Sequence, residues 1–343
     1  MSFPSISPAD FIEQRNRKVV VDVRSPGEFE KAHIPNAINL PLFSNEERAM
    51  VGTTYTRQGK DIAVELGLKY VGPKLHKFVS DARRISKGSD LIVHCWRGGM
   101  RSASMAWLLD TAGFNVTTLR GGYKTYRKLC LDWFEKPWRI VVLSGATGSG
   151  KTEVLRHLNG LGEQVVDLEG LANHKGSAFG ALGQEPQPST EMFENLLFEK
   201  LLTLDPNRTI LLEDESASIG SVFIPTSFYK QMGAAPVVLM NISKEIRVER
   251  LVREYGCFSK EELVGCVQKI AKRLGNDNVQ VCISAVEAGD LKKVAEMTLF
   301  YYDKSYSFSL EKRSPSQLHK VDSLGSDMMA NAIVIQKLLQ TLK

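Results

Sequence analysis

Residues 139–152 read RIVVLSGATGSGKT. An apolar, β-branched run passes into a glycine-rich loop, and Lys and Thr then open a helix-forming stretch. The order demands strand, loop and helix, and so commits this part of the chain to an α/β layer. Gly145, Gly148 and Gly150 let backbone N–H groups surround a diphosphate. Lys151 neutralises the outer phosphate charge, and Thr152 is placed to bind a magnesium ion where one accompanies the phosphates. The loop does not specify which phosphate compound binds.

Further apolar runs at 164–167, 209–213 and 236–241 predict more strands around this loop. The run TILLEDES (209–216) ends in acids, so Glu213 or Asp214 suits a position beside a metal or diphosphate. Asp167 and Glu169, in VVDLEG, follow another strand and are candidates for the same cleft. His174 and Lys175 are candidate anion contacts, weighed against purely structural roles. Residues 183–189 (GQEPQPS) predict a mobile, turn-rich loop. The tail is expected to be helical. Ser259 and Glu262 form a capping box, and Leu263, Val267, Ile270, Ala271 and Leu274 follow helical spacing up to a stop at Gly275. Lys269, Lys272 and Arg273 fall mostly off that stripe, as a solvated basic face or an RNA contact.

The N-terminal half carries a different chemical signal. Strands are expected at 18–23 (KVVVDV), 91–94 (LIVH) and 115–119, with a helix at 101–112 burying Ala103, Ala106, Trp107 and Leu108. Between the second strand and that helix lies HCWRGGMRS (94–102). Cys95 stands where a loop curls ahead of a helix N-terminus, so backbone N–H groups can form an anion cradle. Gly98 and Gly99 let the loop bend tightly, and Arg97 and Arg101 add positive charge. These features favour the thiolate and make Cys95 a candidate nucleophile.

Upstream, residues 19–41 read VVVDVRSPGEFEKAHIPNAINLP; downstream, 119–123 read LRGGY. Together with the cysteine loop they resemble rhodanese domains over roughly residues 5–135. The resemblance implies structural roles for Asp22, Arg24, Glu28 and His33. One departure matters. Five residues separate Cys95 from Arg101. Many sulfurtransferase members have one fewer, whereas the related dual-specificity phosphatases share this spacing. A wider cradle suits a tetrahedral oxyanion or a selenium-bearing donor, and keeps a phosphatase reading open.

The expected architecture is therefore an N-terminal rhodanese-like α/β domain (1–135) followed by a P-loop NTPase-like α/β domain with a helical C-terminal region (136–343). The 343 residues suffice for two cores. A net charge of +5 permits an RNA or polyphosphate partner without requiring one. The five cysteines lack metal or redox spacing, so a reducing compartment is expected. Cys130, Cys257, Cys266 and Cys282 read as small buried residues. No signal peptide or membrane-length apolar run is evident, which predicts a cytoplasmic protein with no membrane partner.

Four longer strings, NEERAMVGTTYTRQG (45–59), VDLEGLANHKGSAFG (166–180), LLEDESASIGS (211–221) and YYDKSYSFSLEKR (301–313), extend the likeness over essentially the whole chain. They resemble the tRNA 2-selenouridine synthases. Two positions depart from that pattern. Ala217 stands where relatives often have Arg, which weakens an arginine phosphate contact there. Thr147 and Ser149 stand in a phosphate loop where relatives often have a further cysteine, so such a cysteine is not needed for catalysis. The resemblance implies that selenophosphate delivers selenium to Cys95 as a perselenide. It also implies a substrate, the wobble 2-thiouridine of a tRNA, and a second activity, geranyl transfer from geranyl diphosphate to the thio-sulfur. Neither donor is a tightly bound cofactor. Tyr301, Tyr302, Tyr306, Lys304, Lys312 and Arg313 form an aromatic-basic cluster suited to core packing or RNA contact. The alternatives are a nucleotide-dependent enzyme with a sulfur-relay module, a cysteine phosphatase, and a non-catalytic tRNA-binding scaffold.

Overall fold

The structure, a computed structural model, describes residues 4–88, 90–311, 313–322 and 325–342. Lys312 of the predicted aromatic-basic cluster lies outside the described residues. The chain divides into two units, Met1–Trp133 and Phe134–Lys343.

In the first unit the strands are β1 (Ser5–Ile6), β2 (Val19–Asp22), β3 (Ile38–Asn39), β4 (Leu91–His94) and β5 (Val116–Leu119). They form one sheet in the order β1-β5-β4-β2-β3, with every neighbouring pair parallel. Parallel pairing needs crossovers. These run through α1 (Pro8–Gln14), α2 (Pro26–Lys31), α3 (Asn45–Gln58), α4 (Lys60–Val71), α5 (Leu75–Ser86) and α6 (Met100–Thr111), and α7 (Gly122–Phe134) follows β5. All four residues of β4 are buried, as expected for a central strand covered on both faces.

The anchor below this sheet end is ionic. Arg24 and Asp22 are almost wholly buried. The guanidinium donates to Asp22 from Nε at 3.1 and 2.9 Å and from Nη2 at 2.6 Å. It also donates to the Ala32 carbonyl at 2.8 Å and lies over the Tyr123 ring at 4.0 Å. These contacts give Asp22 and Arg24 a structural task. His33 stacks on Phe29 with centroids 3.8 Å apart.

The second unit contains β6 (Ile140–Gly145), α8 (Lys151–Gly160), β7 (Gln164–Val166), α9 (Leu168–Ala172), α10 (Thr190–Leu202), β8 (Ile210–Glu213), the short pair β9 (Ser218–Ile219) and β10 (Val222–Phe223), α11 (Thr226–Ala234) and β11 (Val237–Asn241). Helices α12 (Lys244–Tyr255), α13 (Lys260–Lys269), α14 (Ala271–Leu274), α15 (Asn276–Ala288) and α16 (Leu291–Leu310) follow, then β12 (Leu318–Asp322) and α17 (Met328–Leu339). The main sheet runs β12-β11-β6-β8-β7 and is parallel throughout. Helices α13 to α16 share an apolar cluster that includes Leu263, Val267, Cys282, Val286 and Val294.

The structure corrects several expectations. Helix α6 buries Ser102, Met105, Ala106 and Leu109, while Ala103 and Trp107 face outward. Ser102 turns inward toward Cys95, and the helical period of 3.6 then rotates 103 and 107 to solvent. The helix begun at the Ser259–Glu262 capping box breaks at Ile270 and restarts as α14. Cys257 is exposed, unlike Cys130, Cys266 and Cys282. The tail is not purely helical, because β12 returns to the sheet edge; only Val321 of that strand is buried, too little apolar pattern for a strand prediction. Residues 183–189 are tied down by Gln187, which donates to the carbonyls of Ala172 and Ile219, each at 3.0 Å, and accepts from Ser221 N–H at 2.9 Å. Among the described residues no helix is long and apolar enough to cross a membrane.

Candidate active sites

The first site stands at the C-terminal end of β4. Cys95 is 3% exposed, and its Sγ lies 3.3 Å from the Ser102 hydroxyl. That hydroxyl also donates to the Gly99 carbonyl at 3.0 Å, so one serine ties the start of α6 to the thiol. The loop is clamped from below by the turn that opens α7. Tyr123 N–H donates to Cys95 O and Lys124 N–H to Trp96 O, each at 2.9 Å. Gly122 makes this approach feasible. Its φ is +61°, and a Cβ there would fall 2.2 Å from Cys95 O and 2.6 Å from Gly98 N. Gly98 itself has φ +67°, the left-handed turn anticipated from sequence.

Charge is distributed unevenly around this loop. Arg97 is exposed. Arg101 turns back to Glu28, with Nη1 to Oε2 at 2.7 Å, and Arg48 approaches the same carboxylate at 3.6 Å. Burial opposes ionisation of Glu28, but the hydrogen bond and charge of Arg101 outweigh it and hold the carboxyl below its usual range. Glu28 therefore organises the arginines, a task for which its sequence position showed only family resemblance. His94 is wholly buried, with Nε2 3.9 Å from Asp22. Burial pushes its imidazole toward the neutral form against the pull of Asp22.

The second site is a cleft of about 900 Å³ at the C-terminal ends of β6 and β8. Gly145, Gly148, Gly150, Lys151 and Thr152 line it together. Gly148 and Gly150 have φ of +80° and +81°, which turns successive N–H groups toward one cavity. Lys151 Nζ donates to Gly145 O at 2.9 Å. Arg247 donates to the Thr147 carbonyl at 3.2 Å and pairs with Asp303 at 2.7 Å, bracing the loop from behind.

The acids sort into different tasks. Thr152 Oγ1 donates to Glu169 at 3.0 Å, and Glu169 shares a hydrogen bond with Glu215. Burial first, and then the neighbouring Glu169 carboxylate, pushes Glu215 up to about 8. Burial also raises Glu169. Asp214 lines the cleft but is engaged by Ser144 Oγ at 2.6 Å and Arg313 Nη2 at 3.0 Å. Glu213 is buried and accepts from Leu168 N–H at 3.1 Å; burial raises its carboxyl well above the usual range. Asp167 lines the cleft while capping α9 through Gly170 N–H at 2.6 Å.

Lys175 lines the cleft as well and pairs with Glu254 at 2.6 Å. Burial, and secondarily Lys269, lowers the His174 imidazole. Tyr302 and Tyr306 reach the cleft wall. Tyr302 OH accepts from Ala178 N–H at 3.1 Å, and Tyr306 OH lies 3.1 Å from Ser144 Oγ. Tyr301 packs on the helical cluster and accepts from Arg273 at 2.9 Å, whereas Lys304 is exposed. Sequence reasoning missed Glu215, although it is the third acid of TILLEDES. It also missed the cleft-lining Arg156, Arg250 and Arg253; a signal existed in Arg250 and Arg253, three apart on one face of α12.

The two units thus define a class: a rhodanese-like cysteine domain and a P-loop domain in one chain. A family model described as a rhodanese-like domain matches residues 7–129, and one described as the tRNA 2-selenouridine synthase AAA domain matches residues 138–325. The chain is 34% identical to the tRNA 2-selenouridine synthase of Shewanella halifaxensis (strain HAW-EB4), covering 90% of this chain and 93% of that one. It is 31% identical to the enzyme of the same name from Nitrosomonas europaea, covering 86% and 89%. Among solved structures, a rhodanese-related protein from Thermoplasma volcanium is 21% identical, covers 37% of this chain and 93% of its own, and has a TM-score of 0.25. The chain belongs to the tRNA 2-selenouridine synthase family.

Proposed function

We propose that this protein replaces sulfur by selenium in the wobble 2-thiouridine of tRNA, using selenophosphate at Cys95 and passing through an S-geranyl intermediate made from geranyl diphosphate. The observation that supports this reading is the presence of two unlike anion cradles in one chain. One is built around a nearly buried thiol, the other around a lysine, a threonine and loop N–H groups.

The thiocarbonyl sulfur is a poor leaving group. Alkylation converts it into a thioether, places cationic character on the base and makes carbon 2 electrophilic. In the P-loop cleft, Lys151 and the loop N–H groups would stabilise the departing diphosphate. Among the described residues no group of three or more His, Cys, Asp or Glu side chains is arranged to hold a metal alone. Thr152 with the hydrogen-bonded Glu169–Glu215 pair would suit a magnesium ion that takes its other ligands from the diphosphate and whose charge would displace the proton held on Glu215. Such an ion would supply further charge neutralisation.

At the other site Cys95 enters as a mixed disulfide with a small thiol. The selenium of selenophosphate attacks the Cys95 sulfur, and the small thiol leaves. Water then cleaves the phosphorus–selenium bond to release phosphate and leave a Cys95 perselenide, with Arg97, Gly98, Gly99 and Arg101 around the donor. Selenium attacks carbon 2, and the geranyl thiolate leaves with its bonding pair and is protonated. An external thiol then attacks the Cys95 sulfur, selenouridine leaves with the bonding pair of the sulfur–selenium bond, and the mixed disulfide that starts the next turnover is regenerated. Reducing conditions of the cytoplasm supply this thiol.

The test incubates the full chain with thiolated tRNA, geranyl diphosphate and selenophosphate, followed by nucleoside mass spectrometry. Wild type is expected to yield selenouridine, and Cys95→Ser to accumulate S-geranyl-thiouridine. Lys151→Ala is expected to lose geranylation while still selenating preformed S-geranyl tRNA. Absence of any modified nucleoside from authentic thiolated tRNA would refute the proposal.

A further inference from the structure

Helices α3 and α4 form a hairpin inserted between β3 and β4. With the Cys95 loop they enclose a cavity of about 940 Å³ onto which Cys95 opens. Phe43, Tyr55, Val64, Leu68, Trp96 and Met100 supply apolar wall. Tyr55, Leu68 and Met100 are 59, 65 and 54% exposed, so three large apolar side chains gather uncovered around one opening. Clustered exposure of this kind marks a binding surface.

Selenium transfer alone does not explain that wall. Selenophosphate is a small, strongly hydrated anion, and a uracil ring has polar edges. Both are served by the backbone cradle and the arginines. The same cavity is lined by Arg48, Arg57, Arg97 and Arg101. Arg48 and Arg101 share Glu28. Arg57 and Arg97 are exposed and have no ion-pair partner among the described residues. An apolar floor with unpaired arginines at its edge complements a hydrocarbon chain carried on a polyanion. The P-loop cleft has the opposite character, with charged and polar groups making most of its lining.

We propose that the cavity beside Cys95 binds the geranyl chain of S-geranyl-thiouridine in tRNA, with the free arginines on neighbouring phosphates. The inference rests on the S-geranyl reading above and deepens it. The chain becomes a handle that seats the alkylated base next to the nucleophile, so this site selects alkylated over plain thiouridine. The occupant is the RNA thioether rather than free geranyl diphosphate, whose diphosphate already has a cradle in the second unit. The nucleophile here acts on the alkylated base.

The test uses the full chain and anticodon stem-loop RNAs bearing S-methyl, S-dimethylallyl or S-geranyl thiouridine. Kd is read by fluorescence anisotropy, and selenation with selenophosphate is followed in parallel. Affinity should rise along the series by up to roughly fourfold per buried methylene. Leu68→Asp and Tyr55→Asp change exposed side chains, so folding is expected to survive, checked by thermal unfolding and by the rate of Cys95 alkylation with iodoacetamide. Each should collapse the S-geranyl to S-methyl affinity ratio at least tenfold. Equal affinity for all three RNAs in the wild type would overturn the pocket. So would Leu68-dependent protection of Cys95 by geranyl diphosphate alone, which would make the donor the occupant. The selenation arm reads the underlying function separately. Chain-length-dependent binding without selenation retains the pocket and removes the reaction, whereas selenation with no chain-length effect does the reverse.

Discussion

Gly122→Ala is the sharpest perturbation of the cysteine site, because two separable costs meet there. At φ +61° a side chain costs about 1–2 kcal/mol in left-handed strain. The new Cβ would also lie 2.2 Å from Cys95 O and 2.6 Å from Gly98 N. Relief requires the loop to move by roughly an ångström, a displacement that costs on the order of 10²-fold in rate when it misplaces a reacting group. Gly113→Ala provides the control. Its φ is +89°, yet an added Cβ meets nothing within 4 Å, so it bears the strain without the collision. Urea unfolding should show Gly113→Ala less stable by about 1–2 kcal/mol, with selenation of S-geranyl tRNA near the wild-type rate. Gly122→Ala should lose roughly 100-fold in that rate and in Cys95 alkylation by iodoacetamide. If Gly122→Ala selenates within about threefold of wild type, the argument that this turn sets the thiol's position fails.

Other outcomes follow from the same geometry. Arg24→Met strands the buried Asp22 carboxylate and should cost roughly 3–5 kcal/mol in chemical denaturation; a loss under about 1 kcal/mol would contradict the anchoring role. Glu215 has a folded-state value of about 8 against 4.5 in its ordinary state. The folded protein therefore holds this proton more tightly than the unfolded chain. Its contribution to stability is full below about pH 4.5 and is lost as pH rises toward 8. Tm should fall across that window, and Glu215→Gln should flatten the fall; an unchanged pH slope would sink the assignment. Glu213 acts in the same direction, so the double variant should be flatter still. Ser102→Ala removes the hydroxyl 3.3 Å from Cys95 Sγ and should slow thiol alkylation several-fold while leaving the urea midpoint nearly unchanged.

Much of this molecule was legible before folding because its strongest signals are local. The Gly-Lys-Thr loop and the Cys95–Arg101 loop each act through backbone conformation, and Gly98, Gly148 and Gly150 stand at positions where φ is positive. Strands such as β4 and β6, buried throughout, announce themselves as continuous apolar runs. Local spacing also carried the capping box at Ser259 and the α/β alternation of both halves. What sequence spacing did not carry was the partnering of distant charges. Three consecutive acids, Glu213, Asp214 and Glu215, read alike in a strand end. The structure buries the first, gives the second to Arg313 and Ser144, and sets the third against Glu169. The inward face of α6 combines Ser102 at Cys95 with Met105, Ala106 and Leu109 in the core, and β12 was decided by an available sheet edge rather than by its own pattern. The apolar cavity beside Cys95 likewise exists only once α3 and α4 are placed over the loop. Backbone dihedrals and strand burial are properties of short segments, so the sequence by itself determined them. Electrostatic partners, helix phase and cavity walls depend on which remote segments become neighbours, and tertiary packing alone decided those.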